Sequence, residues 1–170
     1  KQSASSMRGV IDYVEQEKKT RWGDAWLVIG SNCVPQSAFI EMQMTKERFS
    51  KTDGRQFYHF VQSFSAEDDI TPQEVNAIGL EFAQRQFPGF EVVIATHVDT
   101  GHLHNHMVVN SVVRGEGLDE VVELCAISFV EAFFGHLHLD EGGLGNAVAA
   151  GDQPRITPAR FFLLLYVVDH

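Results

Sequence analysis

The feature that most constrains the fold is a pair of apolar segments, "EVVIATHV" and "LHNHMVVNSV", joined by a short polar loop. Both segments are rich in β-branched residues, which favour strands, and the loop between them contains a glycine. The pair therefore predicts a β-hairpin. Four histidines and one aspartate fall within ten residues around its turn: His97, Asp99, His102, His104 and His106.

The length of the turn decides whether these histidines meet. Side chains alternate across a strand, so His104 and His106 point to the same face. A four-residue loop, Asp99–His102, would pair His97 with His104 and bring three histidines onto that face, whereas a three-residue loop would separate them. We predict the four-residue register, which leaves His102 in the loop as a residue that does not bind metal.

Three imidazoles on neighbouring strands can hold a divalent metal ion and leave coordination positions open for water or substrate. We expect Asp99 to accept a hydrogen bond from the second ring nitrogen of one ligand, which would fix the tautomer of that ring. The alternative is a set of solvated loop histidines. Three histidines suit manganese, zinc, cobalt or nickel, whereas magnesium prefers oxygen ligands.

The remaining pattern predicts helices and strands in alternation, and hence an α+β fold. Proline at the first position and a capping box, "TPQE", mark the clearest helix, which begins after Thr71. We expect a central antiparallel sheet with the histidines on one face and helices covering the other. The other predicted elements are a helix at Met7–Glu17, a strand at Trp26–Gly30, a helix at Pro35–Phe49 and a strand at Phe57–Phe64.

Length and composition predict one globular domain over residues 1–170, which are 44% hydrophobic. Cys33 and Cys125 lie far apart and show no metal-binding spacing, so reduced thiols are expected. The longest apolar run is far shorter than the roughly 20 residues of a membrane span. We therefore predict a soluble cytoplasmic protein without membrane insertion.

Charge limits where a nucleic acid could bind. The net charge is −10, but nine of the 13 Lys and Arg residues lie among the first 60 residues. A nucleic-acid binder usually carries a basic face, so this part of the chain would have to supply most phosphate contacts. The candidates are Arg8, Lys18, Lys19, Arg21, Lys46, Arg48, Lys51 and Arg55.

Several motifs together resemble one family. "VIDYVEQEKKT", "GRQFYHFVQSFS" and the hairpin, with His97-x-Asp99 followed by His104-Asn105-His106, are similar in type and order to conjugative relaxases of the MobA/VirD2-like mobilization-nuclease group. These belong to the superfamily of His-hydrophobe-His (HUH) endonucleases. The resemblance covers about residues 7–113. It departs from the superfamily name at Asn105, which is polar, a variation that this subgroup shows.

The resemblance implies a nuclease that cuts one strand of single-stranded or hairpin transfer-origin DNA. Tyr13 would attack the scissile phosphate and leave a 5′-phosphotyrosyl link with a free 3′-OH. The histidines would hold Mn²⁺ or Mg²⁺, with Zn²⁺, Co²⁺ or Ni²⁺ as further candidates. A phenol is mostly protonated at neutral pH, so the metal or Asp99 would have to assist its deprotonation. The alternative for Tyr13 is a residue that packs its helix on the sheet.

The resemblance implies one further site residue and the partners. Ser63 would hold DNA next to the cut, although a plain strand serine fits that position equally. His102, which the predicted register leaves in the loop, would contact phosphate rather than metal. Family likeness also implies an accessory protein of the relaxosome, a coupling protein and a type IV secretion system, in plasmid or transposon mobilization in bacteria.

Beyond Val113 the family pattern ends, so 114–170 departs from it. Gly115–Gly135 predicts a core-packing helix, and "TPARFFLLLYVV" predicts a last helix or a buried strand. His136 and His138 have no third partner at ligand spacing and are expected on the surface.

Two other functions remain open at this stage. "HLHNHMVV" approaches the pattern of histidine-triad nucleotide hydrolases and transferases, but Asn105 stands where that pattern needs an apolar residue. The acidic balance and the divergent last third also fit a non-catalytic, metal-dependent DNA-binding module.

Overall fold

The computed structural model describes residues 2–114 and the backbone of a short strand at Tyr166–Val167. All of these described residues belong to one compact unit. The predictions for Gly115–Gly135, His136 and His138 lie outside the described residues. Of "TPARFFLLLYVV", only Tyr166–Val167 is described, and it forms a strand.

The fold is α+β, as predicted. The helices are α1 (Ala4–Val14), α2 (Glu17–Thr20), α3 (Ala38–Arg48, preceded by a 3-10 turn at Pro35–Ser37) and α4 (Pro72–Gln86). The strands are β1 (Arg21–Trp22), β2 (Ala25–Trp26), β3 (Val28–Ser31), β4 (Phe57–Ser63), β5 (Phe90–His97), β6 (His104–Val113) and β7 (Tyr166–Val167). No helix in the described part of the chain is long and apolar enough to cross a membrane.

Five strands form one sheet in the order β3-β5-β6-β4-β7, with antiparallel neighbours throughout. The hairpin of β5 and β6 pairs His97 with His104 and Ala95 with His106. The predicted register is therefore confirmed. Because paired residues share a face, the three histidines lie on the same side of the sheet.

Local signals predicted the start of α4 correctly, whereas α1 spans Ala4–Val14 and so begins and ends three residues before the predicted Met7–Glu17. At the start of α4, the Thr71 side chain accepts from the Glu74 backbone N–H, and the Glu74 carboxylate accepts from the Thr71 N–H. The predicted strand at Trp26–Gly30 is instead divided between β2 and β3. The reason is Leu27, whose N–H donates to the Thr20 carbonyl while its own carbonyl accepts from Thr96 on β5.

Helices cover both faces of the sheet, so the prediction that helices lie only opposite the histidines is wrong. Helices α1 and α3 pack on the histidine face, where Ile11 and Met42 join a core with Val93 and Val108. Helix α4 lies on the other face. Every residue of β5 is buried, and a strand buried on both faces needs a covering layer on each.

Asn105, the polar residue between the paired histidines, points to the α4 face. Its amide donates to Gln62 Oε1 and to the Val75 carbonyl, each at 2.8 Å, and its oxygen accepts from Thr96 Oγ1. Gly79 of α4 makes room for it, since a Cβ at Gly79 would lie 2.6 Å from the Asn105 amide nitrogen. Asn105 therefore fastens a helix to the sheet and takes no part in the histidine face.

Candidate active site

His97, His104 and His106 form the histidine cluster at the loop end of the hairpin. Their exposed fractions are 1%, 9% and 9%, and one ring nitrogen from each lies within 4.8 Å of the others. Burial lowers the pKa of all three imidazoles, most strongly that of His106, where the neighbouring histidines lower it further. Neutral imidazoles that converge at this spacing are the donor set that a divalent metal requires.

Each ring of the cluster is oriented by a contact at the ring nitrogen that would not bind metal. The Nε2 of His97 is 2.9 Å from the Val14 carbonyl at the end of α1, and His104 Nδ1 is 3.3 Å from the His102 carbonyl. The Nδ1 of His106 is 2.9 Å from Nε2 of His59. When these nitrogens carry the hydrogen, the remaining nitrogen of each ring is free of it and can bind metal.

Asp99 does not occupy the position expected for it. Asp99 was predicted to accept a hydrogen bond from the second ring nitrogen of one histidine ligand. The three histidines instead contact two backbone carbonyls and His59. The Asp99 carboxylate accepts from the Lys19 ammonium at 3.3 Å. Burial alone would raise the pKa of Asp99, but the hydrogen bond and charge of Lys19 outweigh it and hold the pKa below its usual range.

Tyr13 lies at the end of α1 and next to the histidine cluster. Its ring centroid is 6.0 Å from that of His97 and 6.2 Å from that of His106. The buried stripe of α1 consists of Met7, Ile11 and Val14, whereas Tyr13 is 46% exposed. The tyrosine is thus both close to the cluster and open to a substrate, unlike a residue that packs a helix on the sheet.

The other predicted residues differ in their distance from the cluster. Ser63 is paired with His104, so it lies on the histidine face at the same end of the sheet. His102 is exposed in the hairpin loop, with its ring centroid 5.4 Å from that of His104. Lys18 is an exposed residue of the short helix that follows Tyr13.

Arg8 and Arg55 are farther from the cluster. Arg8 is exposed on α1 and pairs with Asp12 at 3.5 Å. Arg55 precedes β4, whose first residue pairs with Asn110, six residues along β6 from His104. At about 3.3 Å per residue, Asn110 is about 20 Å from His104 and about 13 Å from His106 along the strand. Lys46 is fully buried and donates to Ser111, so the prediction that it contacts phosphate is wrong. A DNA contact by the other predicted residues stays a prediction.

Two residues of the site were not assigned to it by the sequence. His59 is buried and its ring centroid is 5.0 Å from that of His106. The alternation of β4 puts His59 on the same face as Ser63, which is a signal that could have found it. Lys19 was predicted only as a phosphate contact, and its position beside Tyr13 carries no local sequence signal.

Comparison with known proteins shows one family match and several similar proteins. A family model described as "Relaxase: MobA/VirD2-like, nuclease domain" matches residues 13–117. Two relatives from Staphylococcus aureus, each named protein rlx, are 34% and 39% identical over 110 residues. A group II intron-interrupted relaxase LtrB from Lactococcus lactis subsp. cremoris is 38% identical over 84 residues.

These relatives are much longer than the matched region. The rlx alignments cover 65% of this chain but only 31% and 32% of those proteins, and the LtrB alignment covers 47% of this chain and 14% of LtrB. No solved structure matches the chain significantly.

Proposed function

Because the chain belongs to the MobA/VirD2-like relaxase family, as a nuclease domain, we propose that it nicks one strand of transfer-origin DNA with Tyr13 as nucleophile. The observation that carries this proposal is the position of Tyr13. It is the half-exposed hydroxyl-bearing side chain whose ring lies about 6 Å from two rings of the histidine cluster.

The proposed reaction is a transesterification. The Tyr13 hydroxyl oxygen forms a bond to the scissile phosphorus, and the bond from phosphorus to the 3′ oxygen breaks. The phenolic proton passes to solvent by way of the Asp99 carboxylate, and the Lys19 ammonium contacts both groups, at 3.4 Å from the Tyr13 hydroxyl and 3.3 Å from Asp99. The departing 3′ oxygen takes a proton from solvent, so the products are a 5′-phosphotyrosyl link and a free 3′-OH.

His97, His104 and His106 are the residues that would hold a divalent metal. Bound there, the metal would neutralise charge on the phosphate and polarise it toward attack. The cluster fits such an ion because its rings are neutral and their nitrogens converge within 4.8 Å. In addition, His97 and His106 are each held by a contact at one ring nitrogen. A set of three nitrogen ligands suits Mn²⁺, Zn²⁺, Co²⁺ or Ni²⁺ better than Mg²⁺.

The DNA would approach over the loop end of the hairpin. Ser63 and His102 flank the cluster there, and the exposed Lys18 follows Tyr13 by five residues in the chain. We propose these three as contacts to the strand near the cut, with Arg8 and Arg55 as more distant contacts. An accessory protein, a coupling protein and a type IV secretion system remain partners expected from the family.

Labelled single-stranded transfer-origin oligonucleotides, incubated with Mn²⁺ or Mg²⁺ and run on a denaturing gel, test the proposal. The wild type should give a metal-dependent covalent protein–DNA band that is lost in Tyr13→Phe and in His104→Ala. Tyr58→Phe is the matched control, since Tyr58 alternates with His59 on β4 and points away from the cluster. A band that survives Tyr13→Phe would contradict the proposed nucleophile.

The same gel addresses the two alternatives. A protein that binds the oligonucleotides without cutting them under any metal would support the non-catalytic DNA-binding module. The match to a relaxase family model removes the basis for the histidine-triad alternative.

A further inference from the structure

Two adjacent lysines follow Tyr13 and occupy different environments. Lys18 is exposed. Lys19, by contrast, has a side chain that is only 15% exposed, and its ammonium is 3.4 Å from the Tyr13 hydroxyl and 3.3 Å from the Asp99 carboxylate. The ammonium also lies 4.6 Å from the centroid of the Tyr13 ring, within cation–π range.

The backbone holds Lys19 in this place. Its carbonyl accepts a hydrogen bond from the Val98 N–H at 2.8 Å, which ties α2 to the end of β5. Val98 lies between His97 and Asp99, so the helix that carries the lysine is anchored at the histidine cluster itself. The lysine position is therefore coupled to the strand that carries a candidate metal ligand.

We propose, on the basis of the proposed function, that Lys19 is a catalytic residue whose ammonium directs the Tyr13 oxygen and stabilises its negative charge during attack. The ammonium donates to the same oxygen that forms the bond to phosphorus. As the tyrosine proton leaves, the Lys19 ammonium stays within reach of the Tyr13 oxygen and offsets the negative charge that develops on it. A positive group preorganised at a developing oxyanion acts on the rate more than on ground-state binding.

The charge state of Lys19 supports this role. Burial alone would lower the pKa of the lysine, but its hydrogen bonds to Tyr13 and Asp99 outweigh that effect and raise the pKa above its usual value. Lys19 therefore remains an ammonium at neutral pH.

This role differs from a simple phosphate contact in what its loss would change. A lysine that only binds the DNA backbone contributes to affinity and to its salt dependence. A lysine that stabilises the attacking oxygen contributes to the cleavage rate at saturating DNA. Lys18 and Lys19 have the same chemistry and are adjacent, so the pair provides a matched comparison.

The experiment compares Lys19→Gln, Lys19→Arg and Lys18→Gln in the full chain. It measures the single-turnover cleavage rate at saturating oligonucleotide with Mn²⁺, and the Kd of the same oligonucleotide by fluorescence anisotropy. Lys19→Gln should slow cleavage by about 100-fold and change Kd by less than about threefold, as expected for loss of a charge-stabilising donor. Lys19→Arg should restore part of the rate, because it keeps the positive charge.

Lys18→Gln should show the opposite split, with a weaker Kd and a saturated cleavage rate that falls far less than that of Lys19→Gln. A Lys19→Gln variant that changes only Kd, or that cleaves at the wild-type rate, would overturn the role of Lys19 while leaving the proposed function in place. Thermal melting shows whether Lys19→Gln is folded. If it is not, Lys19→Arg decides the question. A Lys19→Arg protein that is folded but cleaves no faster than Tyr13→Phe would overturn the proposal. A wild type that never cuts would overturn both proposals.

Discussion

Two buried polar clusters lie on the same face of the β5–β6 hairpin, one at each end. At the loop end, contacts to His59 and to the Val14 carbonyl orient rings of the histidine cluster, and one nitrogen of each ring lies within 4.8 Å of the others. At the other end, Glu91 is fully buried and accepts from Thr45 Oγ1 at 3.0 Å and from Asn110 Nδ2 at 2.7 Å. We call Glu91, Thr45 and Asn110 the carboxylate cluster.

The difference lies in where each cluster directs its hydrogen-bonding groups. The carboxylate cluster uses both oxygens of Glu91 on protein donors, which fastens α3 to the hairpin. The histidine cluster keeps converging lone pairs beside a half-exposed tyrosine. The first arrangement serves stability, and the second is suited to binding an ion, so changes at the two ends should separate function from folding.

The largest effect is expected from His104→Ala. It should weaken Mn²⁺ or Co²⁺ binding by more than about 100-fold. Loss of a residue that only hydrogen-bonds a metal ligand lowers metal affinity by about 10- to 100-fold, and this change removes a ligand itself. Isothermal titration calorimetry on the metal-free protein measures the affinity, and urea unfolding should show little change in stability. Unaltered metal binding would contradict the assignment of the cluster.

At the other end, Glu91→Ala should cost about 2–3 kcal/mol of the free energy of unfolding, because two buried donors lose their acceptor. Metal affinity should remain at the wild-type value. Urea denaturation and calorimetry on the same sample check both statements. A variant that loses metal binding while folded would show that the two clusters are coupled.

A smaller effect is expected from the contact between His59 and His106. His59→Leu should weaken metal binding by about tenfold, since His106 would lose the partner that orients its ring. His59→Gln should retain most of the affinity, because a glutamine oxygen can accept from the same ring nitrogen. If both variants bind metal as the wild type does, His59 does not orient His106.

The smallest effect concerns pH and stability. Burial raises the pKa of Glu91, and the hydrogen bonds from Asn110 and Thr45 only partly offset this. The folded state therefore binds the proton more tightly than the unfolded state, so the contribution of this proton to stability is present at low pH and is lost as pH rises through the folded pKa. The free energy of unfolding of the wild type, relative to that of Glu91→Gln, should fall as pH rises from about 4.5, the ordinary pKa of glutamate, to the raised pKa of folded Glu91. A rise over this range in urea unfolding would contradict the direction of the shift.

Local patterns were sufficient for the hairpin but left its register open. The β-branched runs on either side of a short loop predicted the two strands, and the choice of a four-residue loop then predicted the pairing of His97 with His104, with His106 beside them by strand alternation. The capping box at Thr71 and Glu74 predicted the start of α4 for the same reason, since its signal is contained within four residues.

Contacts between distant parts of the chain could not be predicted in this way. The Val14 carbonyl meets His97 across 83 residues, and Lys19 meets Asp99 across 80. Both depend on α1 and α2 packing on the histidine face, which no periodicity in those segments specifies.

The most direct test of the central claim is to identify the residue that carries the DNA after cleavage. Trypsin should release Gly9–Lys18, "GVIDYVEQEK", whose one hydroxyl side chain is Tyr13. After incubation with a transfer-origin oligonucleotide and Mn²⁺, nuclease trimming and mass spectrometry should find this peptide joined through phosphate to a nucleotide. The same nucleotide on a peptide that contains Tyr58 or Tyr166 would contradict the account, as would cleavage without any protein-linked product.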